Sequence, residues 1–170
     1  MDYRKYGDSL IMKTVILLSK VNCELMYQYG CKLHDFINSK GKNKYCIQIR
    51  LFDKIIYQYV NDACSMDNER WLNRKANSTL YFGMSTNDLY IKNKGSDENL
   101  IQKYGLERSK YTFTPGSIPI VLYEQGIVGC ISVSGMLPEE DHGMIVDFFQ
   151  SLNIQTEMEG IAAKNCTLTT

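Results

Sequence analysis

The chain has 170 residues, 44% of them hydrophobic and 22% charged, and its 19 Lys and Arg are balanced by 19 Asp and Glu. A chain of this length removes roughly 70% of its unfolded surface from water, enough for one core that needs neither metal nor disulfide staples. Zero net charge gives no electrostatic reason to bind nucleic acid, and three Pro and twelve Gly exclude collagen-like and low-complexity sequence.

The first apolar run, residues 11–18 (IMKTVILL), is short and branched, which predicts a strand. Lys13 interrupts it and no small-residue cleavage site follows, so it is not read as a signal peptide. No run in the chain reaches the 18 or so apolar residues of a membrane span. A helix is predicted from the N-cap Asn22, because Met26, Tyr29, Leu33, Phe36 and Ile37 recur at three- and four-residue spacing, and it ends near residues 39–43. In 44–52, Tyr45, Ile47, Ile49 and Leu51 alternate with Cys46, Gln48 and Arg50, the period of a half-buried strand. With 55–60 it forms a predicted hairpin.

From Ser65 the pattern turns helical, with Asp67 and Glu69 favouring the positive end of the helix dipole and Gly83 as the stop. Residues 85–111 are polar and predicted helical in pieces, one piece starting at Asp97-Glu98 and ending at Gly105. A second hairpin joins 118–123 to 127–133 through Glu124-Gln125-Gly126, and Pro138 opens a last helix whose stripe is Ile145, Val146, Phe149 and Leu152. Hairpins interrupted by helices predict an α+β domain over residues 1–153, an antiparallel sheet covered by helices, followed by a loosely ordered polar tail, 154–170.

Six Cys lie at wide, irregular spacing with no C-x-x-C, and there are two His in all, so neither a zinc site nor a redox motif is indicated. Reduced thiols in a cytoplasmic protein are the expectation. The neutral balance is itself uneven. Residues 1–60 carry ten basic and five acidic side chains, and residues 116–170 carry one and seven. Basic surfaces of the first third are therefore expected to face acidic surfaces of the last third, within one subunit or between subunits.

Two constellations can carry chemistry. Arg70 and Arg74 are four apart on one helix face, so two guanidinium groups can grip one carboxylate or phosphate, with Trp71 as a stacking surface and Lys75 adjacent. The plainer alternative is a solvated helix face. Glu139, Glu140, Asp141 and His142 form the second: an imidazole beside three carboxylates is expected to have a raised pKa and to serve as a proton donor. Its plainer alternative is a core histidine beside acids that serve only the helix start.

These segments also carry a family resemblance. Trp71, Arg74-Lys75, Phe82-Gly83-Met84-Ser85, Tyr104-Gly105-Leu106, Gly116-Ser117-Ile118-Pro119-Ile120, Gly126-Ile127-Val128-Gly129, Val133-Ser134-Gly135 and Asp141-His142 follow one another as in the haem-degrading domain family of the GlcG-like and HbpS-like group. The chain resembles it over roughly residues 20–153, with Met136 inserted before Leu137-Pro138 as a departure. The resemblance implies a profilin-like sandwich and a cytoplasmic homo-oligomer built from dimers. It also implies haem as the cofactor to test, without assigning an activity or a catalytic residue.

Two functions follow as expectations. In one, the protein binds haem or another small planar anionic ligand: propionates pair with Arg74 and Lys75 beside Arg70, Trp71 contacts the ring, and His142 with Asp141 handles protons or iron. In the other it is a non-enzymatic scaffold or interaction module, and the basic residues of 70–75 pair with Glu139, Glu140 or Asp141.

Overall fold

The computed structural model describes residues 14–159. Residues 11–13 of the first predicted strand, the tail beyond Glu159 and Cys166 lie outside them. The elements are β1 (Ile16–Leu18), α1 (Cys23–Ser39), β2 (Cys46–Leu51), β3 (Lys54–Val60), α2 (Met66–Phe82), α3 (Thr86–Lys92), α4 (Glu98–Gln102), β4 (Ser117–Leu122), β5 (Gly126–Ser134) and α5 (Pro138–Glu159). Local chemistry sets several of these boundaries. The Asn22 side chain accepts from the Leu25 N–H at 2.8 Å, and Gly83 takes the left-handed conformation that closes α2, its N–H on the Thr79 carbonyl at 2.9 Å. α5 continues to Glu159, past the predicted start of the tail, through Gln, Glu and Met, which favour helix even without an apolar stripe.

One five-stranded sheet has the order β1-β4-β5-β2-β3. It is antiparallel except at its β1 edge, where Ile16 to Leu18 run parallel to Ile120 to Leu122. Such a parallel pairing needs a long crossover, and the whole of α1 to α4 lies between these two strands. Register sorts the side chains. Ile47, Ile49, Ile118, Ile120, Ile131 and Val133 point to one face and meet Met26, Leu33 and Ile37 of α1 and Ile145, Phe148 and Phe149 of α5. Each such side chain, once fully buried, is worth roughly 1.5–3 kcal/mol.

The opposite face carries Cys46, Gln48, Arg50, Ser117, Cys130 and Ser132. The strand alternation predicted water here, yet Gln48 is only 1% exposed. α2 lies over this face, so a polar row becomes an interior layer. Beyond α2, the segment carrying α3 and α4 closes on a second small core of Leu89, Leu100 and Phe113, with Phe82 and Tyr104 packed against it. Asp97 ties this segment down, accepting from the Phe113 N–H at 2.7 Å and the Thr112 hydroxyl at 2.8 Å.

Gly30 sits inside α1, where Ala ordinarily gains about 1 kcal/mol in helix propensity. Here a Cβ would lie 2.2 Å from the Tyr57 ring. Gly30→Ala is therefore expected to reverse the usual sign and destabilise by about 1–3 kcal/mol, read as a lower urea midpoint with an unchanged slope.

Candidate functional site

Helix α2 presents two different faces to its surroundings. Leu72, Lys75, Ala76 and Thr79 recur at three- and four-residue spacing and are buried against the sheet, which draws the Lys75 ammonium inside with the apolar stripe. Arg70, Asn73, Arg74 and Asn77 form the neighbouring stripe and, with Ser109 and Lys110, line a cleft of about 240 Å³.

The inward face is organised by an ion pair. Lys75 Nζ donates to Asp141 Oδ2 at 2.8 Å and to the Val133 carbonyl at 3.0 Å, and both side chains are 2% exposed. The other carboxylate oxygen of Asp141 accepts from the Met136 N–H at 3.1 Å, so the turn lengthened by Met136 is held by the same group. Burial pushes the Asp141 carboxyl up to about 6 and the Lys75 ammonium down, while the attraction between the two opposes both shifts. Gly116, at φ +131°, makes the approach geometrically feasible: a Cβ there would stand 2.6 Å from Lys75 Nζ and 3.0 Å from the Asp141 Cβ.

The outward face is cationic. The Arg74 guanidinium lies 3.9 Å above the centre of the Trp71 ring, its Nε donates to the Tyr111 carbonyl at 3.4 Å, and Asp97 is 4.0 Å away. Arg70 is exposed and makes no ion pair among the described residues. Lys110 meets Glu107 at 3.2 Å on an open surface. Behind the cleft, Arg50 bonds only amide oxygens: Gln48 Oε1 at 2.7 Å, Asn73 Oδ1 at 2.8 Å and Asn77 Oδ1 at 2.9 Å. Its charge is held by dipoles instead of a carboxylate. The sequence signal for this part was weak but present, since Asn73 and Asn77 repeat at the same spacing as Arg70 and Arg74, and Arg50 belongs to the polar alternation of β2.

The sequence candidates thus separate. Arg70 and Arg74 come together at the cleft, and Trp71 lies beside it under the Arg74 guanidinium. Lys75 and Asp141 come together in the interior, so the Lys75 ammonium is not free to meet a ligand carboxylate. His142 departs from expectation most clearly. It is largely buried, its Nδ1 has no hydrogen-bond partner, and burial lowers its pKa to about 4 instead of raising it. The neighbouring acids do not reach it: Asp141 turns to Lys75, and Glu140 turns to Lys42 and to the Leu137 N–H at 3.3 Å. Near neutrality His142 is an uncharged imidazole and not a proton donor.

Removing one partner of the buried pair strands the other charge. Lys75→Met is expected to cost about 3–5 kcal/mol in chemical denaturation, and Lys75→Met with Asp141→Leu to recover most of that loss. For His142 the folded pKa lies below the unfolded one, so the unfolded chain binds the extra proton and stability falls as pH drops from about 6.5 to 4. Asp141 has the opposite sign over about 6 to 4, because there the folded chain holds the proton. The stability advantage of wild type over His142→Asn should therefore shrink by about 3 kcal/mol between pH 7 and pH 4, measured by denaturation at each pH.

The geometry can be set beside known proteins. A UPF0303 protein of Psychromonas ingrahamii is 26% identical over 145 residues, covering 85% of this chain and 91% of that one. Among solved structures, the Ybr137w protein superposes with a TM-score of 0.73 at 24% identity, covering 80% of each chain. A PduOC:Heme complex superposes with a TM-score of 0.61 at 12% identity, covering 78% of this chain and 95% of that one. Both share the fold. Residues 21–149, which hold strands β2 to β5, α2 and the start of α5, match the haem degrading protein HbpS-like family, and the chain belongs to that family.

Proposed function

We propose that the protein binds haem or a related planar ligand bearing carboxylates, gripping it by its acidic edge at the cleft of Arg70, Arg74 and Lys110. The observation that carries this reading is the charge of the cleft: three cations and no acid among its lining residues, with Arg50 behind them. Two arginines on successive turns suit forked, two-point contact with a carboxylate. The family description and the haem-complex neighbour point the same way. At about 240 Å³ the cleft is smaller than the roughly 300–1,000 Å³ pockets that enclose a whole small-molecule ligand, which favours holding an edge over swallowing a ring. Trp71 meets the ring when Arg74 leaves the indole for the ligand.

The lining contains no His, Cys, Met or Tyr, so in this reading the porphyrin is held by its carboxylates and not through iron. No residue is assigned a catalytic step. Hemin and iron-free protoporphyrin should then both saturate the protein at micromolar concentration, followed as a Soret shift and as quenching of Trp71, and Arg70→Ala with Arg74→Ala should weaken both at least tenfold. Hemin binding that protoporphyrin cannot match, or no saturable binding of either, would overturn it.

A second reading has its own support. Lys75 and Asp141 are wholly engaged inside the fold, as residues of a scaffold would be. We infer a cytoplasmic homo-oligomer built from dimers in either case. If the scaffold role is the main one, Arg74→Glu lowers the mass seen by light scattering while porphyrins bind neither form.

A further inference from the structure

We infer that Cys46 and Cys64 are a modification site: a pair of thiols that a hydroperoxide converts into a reversible intramolecular disulfide. The two are 18 residues apart, and nothing in their spacing marks them as partners. The fold brings them together. Cys46 begins β2 and stands opposite Val60, the last residue of β3. After Val60 the chain turns back through Asn61, whose N–H reaches the Tyr45 carbonyl at 3.2 Å and whose own carbonyl accepts from the Cys64 N–H at 2.8 Å. This short turn sets the Cys64 Sγ 3.5 Å from the Cys46 Sγ.

Three further features favour the bond. A disulfide needs about 2.05 Å between sulfurs, so the pair must close by roughly 1.5 Å. Cys64 sits in the connection between β3 and α2, where the backbone is not tied into a sheet or a helix, and can supply that movement. Room exists because Gly135 lies alongside: a Cβ there would stand 3.3 Å from the Cys64 Sγ and 3.0 Å from the Tyr45 Cα. The sulfurs also differ in access, since Cys46 is fully buried and Cys64 is partly exposed. Burial pushes the Cys46 thiol well up, which keeps it protonated and leaves Cys64 as the sulfur that meets the oxidant.

The chemistry balances in two steps. Cys64 sulfur attacks hydrogen peroxide, the O–O bond breaks, and a Cys64 sulfenic acid and one water result. The Cys46 sulfur then attacks the Cys64 sulfur, its proton passing to the departing hydroxyl so that a second water leaves and the S–S bond forms; because burial holds the Cys46 thiol protonated, this is the slower of the two steps. Two thiols have lost two electrons to one peroxide. The crosslink joins the start of β2 to the residue just before Ser65, the N-cap of α2, and so fixes the approach to the helix that carries Arg70 and Arg74.

The test uses the full chain. After treatment with hydrogen peroxide and blocking with N-ethylmaleimide, intact mass should show two fewer alkylated thiols than the reduced control. Digestion should give a peptide joining Cys46 to Cys64, and dithiothreitol should restore the original mass. Closing this loop should also raise Tm by about 5–10 °C. Cys64→Ser, in the connecting turn, should abolish the crosslink, and Cys23→Ser should retain it. A crosslink that maps to other cysteines, one that survives in Cys64→Ser, or Cys64 advancing to sulfinic acid with no linked peptide would overturn the inference.

Discussion

The Lys75–Asp141 pair is the point at which the two layers of the molecule are joined. α2 covers one face of the sheet and α5 the other, and their contact runs around the end of β4 and β5, where Gly116 leaves space for an ammonium and a carboxylate to meet. An ion pair taken this far out of water is a costly way to gain stability. What it does supply is direction. The ammonium must find both the Val133 carbonyl and Asp141, and the carboxylate must also take the Met136 N–H, which fixes the turn that starts α5. A helix seated by aliphatic contact alone could slide or rotate by a fraction of a turn; one seated by this pair cannot do so without stranding a charge.

The same logic extends along the whole of the α2 face. The α1 and α5 face is apolar, whereas the layer beneath α2 is a chain of hydrogen bonds through Gln58, Gln48, Asn73, Arg50 and Asn77. The bonds that reach Asn73 and Asn77 specify the rotation of α2 about its axis. With Leu72, Lys75, Ala76 and Thr79 turned inward, Arg70 and Arg74 have no choice but to face out beside Lys110. The positive cleft is in that sense a by-product of how the polar interior is satisfied, and Arg50 contributes to both.

Much of this was legible in the residues, for identifiable reasons. Caps and stops are local chemistry, so Asn22, Gly83 and Pro138 marked their helix ends correctly, and the stripe of α5 was visible apart from Phe148. Partner choice is not local. Nothing in residues 11–18 distinguishes a parallel from an antiparallel neighbour, and the polar alternation of β2 looks the same whether water or a helix lies over it. Lys75 was hidden by a sound general rule, since lysine is almost never fully buried; its place in a stripe with Leu72 and Ala76 was the contrary signal. The expectation for His142 fails because its neighbours in sequence are not its neighbours in space. At a helix start, successive side chains diverge by about 100°, so three acids beside one imidazole can each face elsewhere.

Trp71 is the chain's single tryptophan, and its indole lies under the Arg74 guanidinium at the edge of the positive cleft. All indole light emitted by a subunit therefore originates from one spot, next to the charges that would meet a ligand. The molecule carries its own optical probe there, and no label need be introduced to watch that surface change.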